Sequence, residues 1–452
     1  MKTKKRRMEY ISFYNHTGLE KHFTKMAKKG WLIESISNYY WTYRKIEPKD
    51  IHFCVTYYPR ASDFDPEPSP EQQTFHDFCA HTGWQLCCTW HQMQVFYNEK
   101  EDPIPLETDP VLEVETLHKA CKKNFLPSYF LLLALGLIMG GSFVARVFAD
   151  PIGLLSNASQ LLTGFCFFCM AVISIAELGA YFIWYFKAKK AAQDGIFVDT
   201  PSTAKLQLSI VVLVLIGFVL WLLNLVFSDD PIYMWVAILM IATMIALHIA
   251  VNSIKQGLKK AKASRGVNRF LTIFACFALS FILTGGVVLL TLSVNRAGLL
   301  ERDPEVYTEL PLSLSDLCEI SSEDYIEKNR LEQSFLLRQQ TVDQYPRSEA
   351  NNFRNMPDLH YTITVTSVPF LFKWCKAQVY REESEQQARF DHTYKQQDAN
   401  AWGADAVYLL YDAGDQPLGK YLLFFQNSIV ELWLDWEPSA DQMSIIGQKL
   451  NP

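Results

Sequence analysis

The chain has 452 residues, 49% of them hydrophobic and 20% charged, with a formal net charge of −6. At roughly 100–200 residues per domain this is too long for one ordinary core. The averages also conceal a segregation that excludes a wholly soluble protein: apolar residues concentrate between about 125 and 293, and both flanks are polar.

The basic start MKTKKRRMEY leads into polar sequence without an apolar h-region, so no cleavable signal peptide is expected. KTKKRR could meet nucleic acid or anionic lipid. No helix-turn-helix pattern accompanies it, which favours lipid head groups, or a mark of the inner side, over direct nucleic-acid reading. The alternating run MEYISFYN then predicts a strand, and Thr17 with Glu20 a capping box for a helix carrying Leu19, Phe23, Met26 and Ala27 on one face. The helix closes on Gly30-Trp31, followed by the strand-like runs LIESI and YYWTYRKI. After IHFCVTYY and the linker PRASDFDPEPSP the order repeats. Ser69, Pro70 and Gln72 open a second helix with Phe75, Phe78 and Cys79, which closes on Gly83-Trp84 and is followed by QLCCT and MQVFYNE. Residues 1–100 therefore predict a duplicated βαββ domain with both helices on one face of an antiparallel sheet. Each Gly-Trp is expected to be a helix cap, the glycine left-handed and the indole sealing the turn. Tyr39, Trp41 and Tyr43 share one face of a strand, and Phe53, Val55 and Tyr57 one face of the next. Such an aromatic face either packs on the helices or lines a cleft for an apolar or cationic small molecule.

Residues 101–125 are expected to be a linker helix, and residues 126–293 five spans. These lie near Leu126 to Val147, Leu161 to Phe186, Leu206 to Phe227, Ile232 to Val251 and Phe270 to Ser293, each close to the roughly 20 residues that cross a hydrocarbon layer. Lys187, Lys189, Lys190 and Lys205 follow the second span, and Lys255, Lys259, Lys260, Lys262, Arg265 and Arg269 follow the fourth. By the positive-inside rule the N-terminus is expected in the cytoplasm and residues 294–452 outside it. Glu177, near the middle of the second span, and His248, one turn from the inner end of the fourth, are the candidate intramembrane polar sites. Gly136 and Gly140 suit close helix approach. Cys166 and Cys169 form a lone CxxC without the four ligands of a zinc site, so packing is expected there. The outer turns FADPIGLL and FSDDPIYM echo each other.

Residues 294–452 predict an extracytoplasmic α+β domain. Helices are expected near Ser313 to Ile320, Asp324 to Val342 and Glu383 to Gln397, strands near Tyr361 to Thr366, Ala406 to Tyr411, Lys420 to Phe425 and Ile429 to Trp436, and a closing helix after Ser439. Cys318 and Cys375 could pair as a disulfide or remain free thiols. Cys54, Cys79, Cys87, Cys88 and Cys121 lack zinc-finger spacing. No Walker loop, HExxH or GxSxG element occurs, and His360 and His392 beside Asp358 and Asp391 are ordinary polar sequence. Neither catalytic residues, nor a metal site, nor a cofactor is expected.

The helix ending AKKGW, the aromatic strands, the second helix ending HTGW and the following spans resemble the family known as domain of unknown function 2812, over about residues 8–125. The spans and the later LPLSLSDL and SIVELWLDWEPSADQ are similar to its longer members. The resemblance implies a protein of Gram-positive bacteria, a PadR-type transcription regulator as neighbour and partner, and no established enzymatic activity. Together these features predict a membrane-anchored sensor or regulatory adaptor that links an extracytoplasmic or membrane signal to a cytoplasmic protein. The alternatives are a transport or export component built on Glu177 and His248, and an outer-domain enzyme acting on lipid or cell wall.

Overall fold

A computed structural model describes residues 3–37, 40–226, 231–297, 310–320, 324–347, 356–366 and 368–451. The chain forms two compact units, one comprising 1–143, 164–218 and 231–300, the other 144–163, 219–230 and 301–452.

In the first unit, β1 (Lys4–Arg7), α1 (His16–Ala27), β2 (Trp31–Ile36) and β3 (Trp41–Lys45) precede β4 (His52–Tyr57), α2 (Pro70–His81), β5 (Gln85–Trp90) and β6 (Met93–Asn98). They build two three-stranded antiparallel sheets, ordered β1-β3-β2 and β4-β6-β5, where the sequence predicted one. The two sheets share a core with α1, from Phe23 and Ile33 to Val55 and Val95. The first strand differs from its expectation. Residues 4–7, KKRR, pair with β3, Lys5 lies over the Trp31 ring and Arg6 over that of Tyr40, whereas MEYISFYN forms no strand. Residues 12–16 are buried instead, because their side chains are shared among several neighbours, a use that alternation does not distinguish from a strand. The α1 cap also differs: Asn15, not Thr17, accepts from the Gly18 amide at 2.9 Å. Ser69 caps α2 by accepting from Gln72, with Pro70 at the first helical position.

A third helix, α3 (Pro110–Lys123), leads to α4 (Phe125–Ala149), α6 (Ala158–Gln193), α7 (Ala204–Val226), α8 (Pro231–Lys260) and α9 (Arg265–Arg296), with the short α5 (Pro151–Ser156) between α4 and α6. Five of these helices are long and apolar enough to cross a membrane, and large apolar side chains such as Phe130, Ile183 and Phe281 face outward from them. Asp150 caps α5; the echoing turn after the third span includes 227–230, outside the described residues.

In the second unit a seven-stranded antiparallel sheet is ordered β10-β11-β12-β13-β9-β8-β7. Its strands are β7 (Tyr325–Gln333), β8 (Arg338–Pro346), β9 (Leu359–Val365), β10 (Thr393–Gln397), β11 (Ala406–Tyr411), β12 (Pro417–Phe424) and β13 (Ser428–Leu434), with α10 (Pro369–Ala388) and α11 (Ala440–Leu450). The helix predicted at 324–342 is the β7–β8 hairpin. Its Glu, Lys, Arg and Gln favour helix locally, but Gln340, Val342 and Gln344 alternate into the buried face and long-range pairing wins. Ser313 and Asp316 form a capping box on a single 3-10 turn rather than a helix to 320, and the helix expected at 383–397 lies at 369–388. Alternate residues of β12 and β13 serve two cores. Leu423 and Val430 face the one that holds Ile446 and flanks Cys318, while Leu422 and Ile429 face the one that holds Cys375 and Ile152 of α5. Both thiols are free and flank cores on opposite faces of this sheet, so Cys318 and Cys375 are unbridged in this structure.

Gly136 and Gly140 let α4 meet α6 at backbone distance: a methyl on Gly136 would lie 2.8 Å from the Ala171 nitrogen, and one on Gly140 3.1 Å from the Phe168 Cα. Gly285 in α9 has nothing within 4 Å of that position. Gly136→Ala is expected to destabilise the purified protein by about 1–3 kcal/mol through overpacking. Gly285→Ala should be neutral or stabilising by about 0.5–1 kcal/mol from helix propensity. Melting midpoints in detergent that fall equally for both would contradict this packing.

Candidate functional site

The segment that fails to become a strand is a joint. Ser12 Oγ donates to Glu177 Oε2 of α6 at 2.7 Å, and Glu177 Oε1 accepts from Gln207 Nε2 at 2.7 Å and from the Thr203 hydroxyl. Phe13 turns the other way, packing edge-on against Tyr57 and Trp90. Tyr14, wholly buried, meets Phe125, Tyr181 and Trp184 edge-on or tilted at 5.2–6.4 Å. Asn15 both caps α1 and accepts from the Thr200 hydroxyl at 2.7 Å, while the Thr17 hydroxyl accepts from the Thr200 amide at 3.0 Å. His16 Nε2 pairs with Glu113 of α3 at 2.8 Å. Four of the five residues from Ser12 to His16 thus reach α3, α4, α6 and the connection from α6 to α7, while Phe13 packs on β4 and β5.

Glu177 is 1% exposed. Nineteen steps of about 1.5 Å from Ala158 carry it about 29 Å along α6, one hydrocarbon thickness from the start of the helix rather than mid-span. Its partners fit that boundary, since Thr203 and Gln207 stand at the start of α7 and Ser12 lies between β1 and α1 of the sheet-bearing N-terminal part. His248 is on the exposed side of α8, so the two residues singled out for transport occupy different environments.

A second attachment uses the acidic linker between β4 and α2. Asp65 receives Arg265 at 2.5 and 2.7 Å, Asp63 receives Lys255 at 2.6 Å, Glu67 pairs with Lys262 at 2.8 Å, and the Phe64 carbonyl accepts from Asn268 at 3.2 Å. The Lys/Arg-rich connection that sets the sequence-based orientation is therefore the surface held by the acidic linker.

Beside the joint lies a cavity of about 540 Å³, inside the range of small-molecule pockets. It is lined by Glu20, Glu101, Asp102, Glu107, Glu113 and Asp199, the last paired with Lys21, and among the described residues by no lysine or arginine; Phe53, Tyr57, Trp84, Leu106 and Phe197 supply apolar walls. Burial, opposed by the Val55 amide that donates to Oε1 at 2.9 Å and by His16, pushes the Glu20 carboxyl up to about 7; Glu113 and Glu107 add to the rise. Burial likewise raises Glu107, against the hydrogen bond from Thr56. For His16 burial acts downward, yet the hydrogen bond and charge of Glu113, with Glu20, carry it above its ordinary value.

The aromatic face is divided by the structure. Trp41 and Tyr43 are buried in the core, Tyr43 bonded to His22 at 3.0 Å, so they form no cleft; Tyr39 lies outside the described residues. Phe53, Val55 and Tyr57 do line the cavity. Gly30 and Gly83 have φ of +80° and +94°, each just past its helix. Trp31 is half-buried against the core, and Trp84, buried beside Cys79 and Phe96, donates Nε1 to the Ile104 carbonyl at 2.8 Å. The acids from the loop at 101–107 and from α3 were missed because they converge from distant segments, with no spacing signature. Among the described residues no group of three or more His, Cys, Asp and Glu is arranged to hold a metal.

Folded Glu20 keeps its proton to about pH 7, while the unfolded group releases it near 4.5, so the fold loses stability as pH climbs between those values. Glu20→Gln retains the acceptor for Val55 and cannot ionise. It should match the wild type in denaturation at pH 4.5 and exceed it by roughly 2 kcal/mol at pH 8; a difference that does not change with pH would refute this role.

No curated protein and no solved structure matches the chain. Residues 15–130, which hold the joint, α1, both Gly-Trp caps and α3, match the family model described as protein of unknown function (DUF2812), and this N-terminal domain belongs to that family.

Proposed function

We propose that the protein is a membrane-anchored sensor or regulatory adaptor, in which a state of the spans or of the outer domain is passed to the N-terminal domain and read by a cytoplasmic protein. The observation that carries this reading is the Ser12–Glu177 joint. A domain tethered only by a linker would not place a buried residue on a span carboxylate and seat Tyr14 among three span aromatics. The N-terminal domain is read as a duplicated βαββ unit, a reading supported by the common order first-third-second in its two sheets. Its placement in the cytoplasm, with residues 294–452 outside, is supported by the Lys/Arg-rich connections that Asp63, Asp65 and Glu67 engage. The partner implied by the family resemblance is a PadR-type transcription regulator, bound as protein and without direct nucleic-acid contact by this chain. Burial of Glu177 among three neutral donors disfavours transport, because its acceptor positions are already committed.

Membranes carrying the full chain should capture the PadR-type regulator, and removal of residues 1–100 should abolish that capture; unchanged capture would overturn the adaptor role. Within the joint, Glu177→Leu leaves the Ser12 and Thr203 hydroxyls and the Gln207 amide without their acceptor, a cost of roughly 1–3 kcal/mol. Amide hydrogen exchange across 11–16 and 196–207 should then accelerate by about tenfold or more. Unaltered protection would show that the carboxylate does not hold the segment.

A further inference from the structure

The cavity beside the joint shares His16, Thr17 and Glu113 with the packing just described, and its lining is chemically one-sided. With Glu113 paired to His16 and Asp199 to Lys21, the acids Glu20, Glu101, Asp102 and Glu107 remain, and among the described residues no lysine or arginine lines the walls. An anion would enter against that field, whereas a cation would relieve the mutual repulsion of acids held close together in partial burial. The apolar walls add a second requirement. Phe53, Tyr57 and Trp84 offer rings, and the Trp84 indole is fixed at its nitrogen by the Ile104 carbonyl, so a cation with a hydrocarbon body is served better than a hydrated metal ion.

We propose that this cavity binds an organic cation with an apolar body, a protonated or quaternary amine carried on an aromatic or alicyclic group. Glu107 takes the charge together with Glu20, which gives up its proton to solvent as the cation enters; the rings receive the body, and Glu101 and Asp102 at the exposed rim draw the cation in. The assignment deepens the sensor reading and rests on it for its purpose, since the occupant touches three elements of the joint. Glu20 belongs to α1, Glu113 and Leu117 to α3, and Phe197, Val198 and Asp199 to the connection that continues through Thr200 and Thr203. The Val198 carbonyl also accepts from Trp184 of α6 at 3.1 Å, so the cavity wall is bonded to the span that carries Glu177.

The test is calorimetric titration of the full-length protein in detergent with benzyltrimethylammonium. Saturable one-to-one binding is expected, absent for 3-phenylpropionate and for benzyl alcohol, and weaker for spermine, which carries charge without a compact apolar body. Glu107→Gln should weaken binding about tenfold. The double variant Glu101→Gln/Asp102→Asn, whose exposed rim positions spare the fold, should weaken it severalfold and reduce its sensitivity to salt. No saturable binding, equal binding of the anion, spermine binding as tightly, or affinity unchanged in both variants would each overturn the assignment. Partner capture reads a separate quantity. Loss of cation binding leaves the adaptor test standing, while cation binding with capture indifferent to residues 1–100 removes the adaptor role and keeps the site.

Discussion

Everything in the first unit depends on one buried carboxylate being satisfied. Glu177 is enclosed, and an enclosed carboxylate without donors is among the costliest groups a fold can contain. Its donors come from two places in the sequence: Thr203 and Gln207 arrive with the following span, and Ser12 must be brought from the soluble domain. That requirement fixes residues 11–16 against α6, and the rest follows from it. Asn15 is delivered to Thr200, His16 to Glu113, and Tyr14 to the aromatic cluster of Phe125, Tyr181 and Trp184. The same placement denies the segment to any sheet, so the first strand falls to the lysines and arginines before it.

Magnitudes separate what holds the domain from what aligns it. The exposed ion pairs of the linker, Lys262 with Glu67 above all, contribute little and weaken with salt. Burying an apolar ring contributes about 1.5–3 kcal/mol and edge-to-face contacts add to it, a gain reduced at Tyr14 by a hydroxyl buried without a partner among the described residues. Docking is therefore chiefly apolar, with Glu177 selecting the position. The paired hydrogen bonds between Arg265 and Asp65 are directional and set the orientation of the linker on the α8–α9 connection.

Where local chemistry and long-range packing agree, the sequence is a sufficient guide. The spans are continuous apolar runs, Ser69 and Ser439 sit before Gln72 and Gln442 at capping spacing, and β11 to β13 are apolar runs bounded by turn residues. Where they disagree, packing prevails. The β7–β8 hairpin consists largely of helix-favouring residues and is a strand pair only because β9 lies beside it. MEYISFYN alternates like a strand because its neighbours alternate between two environments, Phe13 toward the soluble core and Tyr14 toward the spans. The cavity was half legible. Phe53, Val55 and Tyr57 follow from period two, but convergence of Glu20, Glu101, Glu107 and Glu113 is a property of the tertiary fold that no local spacing encodes. Glu177 was visible as an intrusion in an apolar run, and its partner was not, since 165 positions separate it from Ser12.

The long α6 is where these constraints meet. Its 36 residues extend for about 54 Å, more than a hydrocarbon layer needs, so Glu177 and the turns after it can stand at or beyond the boundary. On one side of Glu177 along the helix, Ala171 and Phe168 are held against α4 by glycines that leave no room for a methyl. On the other, Tyr181, Trp184 and Tyr185 receive Tyr14, the Val198 carbonyl and His118. A helix gripped by close backbone contact at one end and by the soluble domain at the other cannot rotate without losing one set of contacts. Hydrogen bonds of 2.7 Å degrade over displacements of about 1 Å, far smaller than the movement needed to free the aromatic cluster. The Glu177 contacts would therefore yield first, loosening Ser12 and the 196–207 connection while Tyr14 stays seated. A small movement of the span would thus loosen the joint without detaching the domain.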